Sequence, residues 1–117
     1  MNELSIFEKI ILRQIPANIV HEDELCIAFH DVAPQAPIHL LIVPKQRINR
    51  IGEAQPAHQS TLGHLFLIAA KIANDLGILS TDKGFRIVIN HGKDAGETVP
   101  HLHIHLLAGR SLNWPPG

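Results

Sequence analysis

The chain has 117 residues, 45% of them hydrophobic, and a formal net charge of −1. That suffices for one domain, residues 1–117, with a real core, and leaves no basic footprint for nucleic acid. A single cysteine, Cys26, excludes an internal disulfide and any CxxC zinc knuckle. No run of eighteen apolar residues occurs and the N-terminus is too acidic for a signal peptide, so a cytoplasmic protein without a membrane span is expected.

In chain order, Ser5 to Glu8 fits the S-x-x-E capping box, and Ile6, Phe7, Ile10 and Ile11 share one apolar face. A short helix is predicted there, ending before Pro16. Ile19–His21 and Leu25–Phe29 read as two strands joined by the acidic turn Glu22-Asp23-Glu24. Asp31–Pro37, with two prolines, reads as a loop, and Ile38–Val43 as a strand ended by Pro44. Over Pro56–Leu76 the residues Leu62, Leu65, Phe66, Ile68, Ala69, Ile72, Ala73 and Leu76 recur at helical spacing, with Gly77 as C-cap. Phe85–Asn90 is a further strand, His91–Pro100 a glycine-containing loop, and Trp114-Pro115-Pro116-Gly117 a stiff tail. The connections look hairpin-like, so the expected fold is α+β: an antiparallel sheet of about five strands with two helices.

Nine histidines are the compositional oddity, and three stand in His101-Leu102-His103-Ile104-His105-Leu106-Leu107. Strict alternation predicts a strand, so the three imidazoles share one face while Leu102, Ile104 and Leu106 point to a core. A neutral imidazole can attack phosphorus or a carbonyl and carry a covalent intermediate that water resolves. At an ordinary pKa of about 6.5 most of it is unprotonated at pH 7, and its second ring nitrogen must hold a proton. His39, on another predicted strand, is a fourth candidate for that network. Zinc is the competing chemistry. Ligands at i, i+2 and i+4 of one strand span about 13 Å, so convergence of all three is difficult, and two of them with His39 would be easier. A required metal is therefore not expected. His58 and His64 on the long helix and His21 beside a turn read as structural or solvated, and His91 as a loop residue. The loop Asn90–Thr98, with Gly92 and Gly96, has the makings of a backbone anion cradle.

The histidine row fits the pattern His-φ-His-φ-His-φ-φ, φ being apolar. With it go Phe7-Glu8-Lys9-Ile10-Ile11, Ile15-Pro16-Ala17, Ala28-Phe29-His30-Asp31, Pro34-Gln35-Ala36-Pro37-Ile38-His39, Val43-Pro44-Lys45, Asn90 and the Trp114 tail. By these residues the chain resembles the histidine triad (HIT) family over nearly its whole length, and within it the Hint branch of nucleoside phosphoramidases. The resemblance implies His103 as nucleophile, His101 and His105 as its companions and His39 in support. It implies Asp31 on the ribose hydroxyls, and Phe7, Ile10, Phe29, His30 and Val32 around a purine, with Ile6 and Ile15 at its edge. Asn90, Gly96, the Glu97 backbone and Thr98 become phosphate and leaving-group contacts. A homodimer with Trp114 reaching the partner's site, a purine nucleotide substrate and no cofactor complete that picture. Glu97-Thr98-Val99-Pro100 departs from the glutamine, serine and tyrosine of familiar members, and Ile78–Lys83 looks longer than usual.

Overall fold

The computed structural model describes residues 3–117. Its elements are α1 (Ile6–Ile11), β1 (Ile19–Glu22), β2 (Cys26–His30), β3 (Ile38–Pro44), α2 (Gln59–Asp75), β4 (Arg86–Val88) and β5 (Ile104–Ala108). All pairings in the five-stranded sheet are antiparallel, in the order β1-β2-β3-β5-β4. The α+β expectation holds. Among the described residues no helix is long and apolar enough to cross a membrane.

Alternation along each strand splits the core into two layers. Cys26, Ala28, Leu40, Ile42, Ile104, Leu106 and Ala108 face α2, where Leu65, Ile68, Ala69, Ile72 and Ala73 meet them. Ile27, Phe29, Leu41 and Val43 face the other way, onto Phe7 and Ile10 of α1. The short helix starts with the expected capping box: Ser5 Oγ accepts the Glu8 amide at 3.0 Å, and the Glu8 carboxylate accepts the Ser5 amide at 2.8 Å. The long helix begins three residues later than predicted, because Pro56–His58 form a separate 3-10 turn. Gly77 follows it at φ +72°, a conformation that costs other residues a Cβ clash.

Two expectations need correction. The connection from β3 through α2 to β4 is a crossover, and β5 enters the gap it leaves, so the histidine strand is internal to the sheet. The ladder also starts only at Ile104. His101 to His103 run in extended loop beforehand, where the His101 amide bonds Val99 O and the Leu102 amide bonds Ile48 O. The predicted faces survive, since Leu102, Ile104 and Leu106 all lie in the α2 layer.

Candidate active site

The crossover puts β5 beside β3, with His105 opposite Leu41 and His39 opposite Leu107. His39 and His105 are therefore diagonal neighbours on the α1 face, close enough for long side chains to touch. Burial is graded along the row: His101 is fully buried, His103 is 6% exposed and His105 is half-buried. The three rings do different things.

His101 is locked by two partners. Its Nε2 lies 2.8 Å from the Pro44 carbonyl, which can only accept, so Nε2 carries the proton. Its Nδ1 then accepts from Ser5 Oγ–H at 2.8 Å. Burial, ahead of the opposing hydrogen bond to Pro44, pushes this ring below the ordinary pKa and keeps it neutral. Ser5, read in the sequence only as a helix cap, thus ties α1 to the first histidine of the row.

His103 Nδ1 lies 2.7 Å from the backbone carbonyl of His101. The same logic places the proton on Nδ1 and leaves Nε2 with a free lone pair. Phe7 packs edge-on against this ring, centroids 4.9 Å apart, and His105 does so at 5.0 Å. The ring is held in one orientation by a backbone acceptor and two aromatic walls.

His105 heads a relay. The Gln35 amide donates to His39 Nδ1 at 3.0 Å, so neutral His39 is protonated at Nε2. That Nε2–H donates to His105 Nδ1 at 2.9 Å, which puts the His105 proton on its outer nitrogen, Nε2. Asp31 Oδ2 stands 3.4 Å from the same His39 nitrogen. Burial first, and the nearby His103 and His39 rings next, push His105 down to about 4. Gln35 and the Pro44 carbonyl carried no role in the sequence reading; main-chain partners leave no residue-type signal.

Protonating His105 costs folding free energy, and the sign follows directly. Its folded pKa of about 4 lies below the ordinary 6.5, so between these values the unfolded chain binds more protons. His101 shifts in the same direction. The melting temperature is expected to be flat just above pH 7 and to fall steadily from about pH 6.5 to about pH 4. A midpoint that rose on acidification through that window would rule out neutral buried rings.

The remaining expected site residues divide. Phe7, Ile10 and Phe29 gather on the α1 face with 5%, 7% and 3% of their surface exposed, so most of each is core. Ile10 and Ile15 line a cleft of about 320 Å³ with Arg13, Gln14, Pro16, Ala17 and Ile19. Ile6 is half exposed, His30 is exposed, and Val32 at 98% exposure has no wall of this chain against it. Asp31 is less free than a pure ribose ligand, because Oδ1 accepts the Ala33 amide at 2.8 Å and Oδ2 faces His39. Asn90 is half-buried, Thr98 is exposed, and Trp114 projects from the tail at 83% exposure, making no aromatic contact with the triad rings.

The anion cradle is corrected most. The Gly92 amide donates to Glu97 Oε1 at 2.9 Å, the Gly96 amide to Lys93 O and the Glu97 amide to Gly92 O. The loop closes on itself, and these three amides are already satisfied. Gly96 still needs its glycine, at φ +82°. Glu97 in turn receives a two-pronged contact from Arg50, Nε and Nη2 both at 2.9 Å. Arg50 first, then the Gly92 amide, hold the Glu97 carboxyl down to about 2. Its negative charge is therefore matched by a guanidinium. The Thr98 and Val99 amides, leading into the histidine row, donate to no protein group among the described residues and can serve an anion.

A metal fits poorly at the relay. Asp31, His39 and His105 offer three ligand atoms within 4.8 Å of one another. However, His39 Nε2 and His105 Nδ1 share a proton, which a cation would have to displace.

The HIT domain family model matches residues 12–112. An uncharacterised HIT-like protein of Synechococcus elongatus is 58% identical over 117 residues, spanning all of both chains. The structure of a HIT family hydrolase from Legionella pneumophila superposes with a TM-score of 0.91 at 43% identity, covering 96% of this chain and 98% of that one. That of a histidine triad nucleotide-binding protein from Candida albicans gives 0.82 at 26% identity, covering 96% and 83%.

Proposed function

Because the chain belongs to the HIT domain family, we propose that it is a single-domain hydrolase of purine nucleotides that carries the nucleotidyl group on His103. The preferred substrates are AMP–amine conjugates, opened at P–N, or aminoacyl-adenylates. One observation supports this above others: the 2.7 Å hydrogen bond to the His101 carbonyl fixes the His103 tautomer with its Nε2 lone pair free. The structural relatives agree at a coarser level: one is a HIT family hydrolase of Legionella pneumophila, another a histidine triad nucleotide-binding protein of Candida albicans.

In the first step His103 Nε2 bonds to phosphorus as the P–N bond breaks, and the amine departs with one proton taken from water. The ring becomes cationic, and its Nδ1–H bond to a carbonyl strengthens as that charge develops. His105 Nε2–H, set by the relay through His39, is the donor available to the leaving group or a phosphoryl oxygen. In the second step the hydroxide equivalent of that same water bonds to phosphorus and the Nε2–P bond breaks. The net change adds one water and returns His103 to its starting state. In this reading Asp31 holds the ribose hydroxyls through the carboxylate it also turns toward His39. Phe7, Ile10, Phe29, His30 and Val32 border the base, and Asn90, the Gly96–Thr98 segment and the free Thr98 and Val99 amides the phosphate. No cofactor takes part.

Steady-state rates with an adenosine phosphoramidate and with a diadenosine polyphosphate test the substrate class. The phosphoramidate is expected to be turned over at least tenfold more efficiently. The reverse preference would replace this reading with a dinucleoside polyphosphate hydrolase using the same nucleophile. A homodimer belongs to the proposal, through the β4 edge and exposed Phe66, with Trp114 crossing to the other copy's site. Gel filtration reading a monomer would remove that part.

A further inference from the structure

Three polar side chains that the sequence leaves as structural converge on one carboxylate away from the triad. Asp23 sits in the turn between β1 and β2, His21 in β1, Cys26 in β2 and His64 in α2. Asp23 Oδ2 lies 2.7 Å from His21 Nε2, 2.7 Å from His64 Nε2 and 3.6 Å from Cys26 Sγ. The ligand atoms of His21, Asp23 and Cys26 all fall within 4.8 Å of one another. The β1–β2 hairpin thus supplies an imidazole, a carboxylate and a thiol in mutual reach, and α2 adds His64, which meets this group at Asp23 Oδ2.

We infer that this cluster is a binding site for a borderline-soft divalent cation, Zn²⁺ in kind, held by His21, Asp23, Cys26 and His64. Two nitrogens, one oxygen and one sulfur are donors a tetrahedral zinc accepts, and alkaline-earth ions do not favour sulfur. At bond lengths of about 2.0–2.3 Å the four donors stand roughly 3.3–3.8 Å apart, so each His–Asp contact must open by under about 1 Å and His64 must swing toward the other hairpin donors. The rings permit that. Both bond only through Nε2, and among the described residues no hydrogen bond fixes either Nδ1, so each can move its proton there and turn a lone pair inward. The carboxylate is already aimed, since Oδ1 accepts the Leu25 and Cys26 amides at 2.8 and 2.9 Å. Cys26 is fully buried, whereas the side chains of His21, Asp23 and His64 keep 17%, 28% and 29% exposure. His64 borders an open cleft of about 690 Å³ with Leu25, Pro56 and Leu67, which is a route for the ion. On binding, the Cys26 thiol proton passes to solvent and the thiolate becomes the fourth ligand.

Cys26 and His64 lie on the α2 side of the sheet, opposite the face that carries His103 and His105. Binding is therefore separable from catalysis, and so is the test. Metal-stripped full-length protein is titrated with Co²⁺ and followed by absorbance. One equivalent is expected to raise a thiolate-to-cobalt charge-transfer band together with strong tetrahedral d–d bands, and Zn²⁺ should displace both. Cys26→Ser should abolish the charge-transfer band. His64→Gln, at a half-exposed helix position, should weaken Co²⁺ at least tenfold and keeps the test valid if the buried serine misfolds. His39→Ala should leave the titration unchanged. Absence of the thiolate band, wild-type affinity in His64→Gln, or loss of binding in His39→Ala would each overturn the assignment.

Discussion

His103→Asn is expected to lose at least about 10⁴-fold in turnover of an adenosine phosphoramidate while melting close to the parent protein. Asparagine is chosen because its amide N–H can replace the imidazole Nδ1–H and keep the 2.7 Å contact to the His101 carbonyl. What it lacks is the lone pair at the far side of the ring. Phe7 and His105 still flank the position, and the smaller side chain leaves only a modest void between them. Acid-quenched mass spectrometry supplies the second readout. The parent protein should show a nucleotidyl adduct that maps to the peptide containing His103, and the variant should show none. A variant that kept its rate, or an adduct on His101 or His105, would remove His103 as nucleophile.

Much of this arrangement was legible in the residues, because the period of two assigns faces regardless of where hydrogen bonding begins. Leu102, Ile104 and Leu106 went to the α2 layer as alternation demanded. The start of β5 was misplaced because a ladder also needs a partner, and His101 and Leu102 bond to loop carbonyls of Val99 and Ile48 instead. The crossover was missed for a related reason. Nothing local in Ile38–Val43 or Phe85–Asn90 tells which gap a later strand will fill. The two glycines of Asn90–Thr98 suggested a backbone cradle, and both do take positive φ. It could not show that Glu97 uses the Gly92 amide, or that Arg50, 47 residues away, answers Glu97. His21 and His64 looked unremarkable one by one. Only the docking of α2 against the hairpin brings both onto Asp23.

His101→Ala should behave differently from His103→Asn, although both residues stand in one motif. The ring is fully buried and joins Ser5 Oγ to the Pro44 carbonyl. Its removal leaves a hydroxyl and a carbonyl without their partner and opens a cavity beside Phe7, whose ring centroid lies 5.8 Å from the imidazole. A loss of about 3–5 kcal/mol is expected from the two terms together. That is a large share of the roughly 5–15 kcal/mol that holds a domain of this size. Thermal or urea unfolding measures it directly. Activity should fall as well, for an indirect reason: the acceptor for His103 Nδ1–H is the His101 backbone carbonyl, which survives the substitution but loses the side chain that anchors it. His101 then acts through position, so His101→Ala should lower stability and rate together, whereas His103→Asn lowers rate alone. Should the alanine variant unfold at the parent's midpoint, the buried ring would not be what fastens the row to α1 and β3, and the fixed tautomer of His103 would need another source.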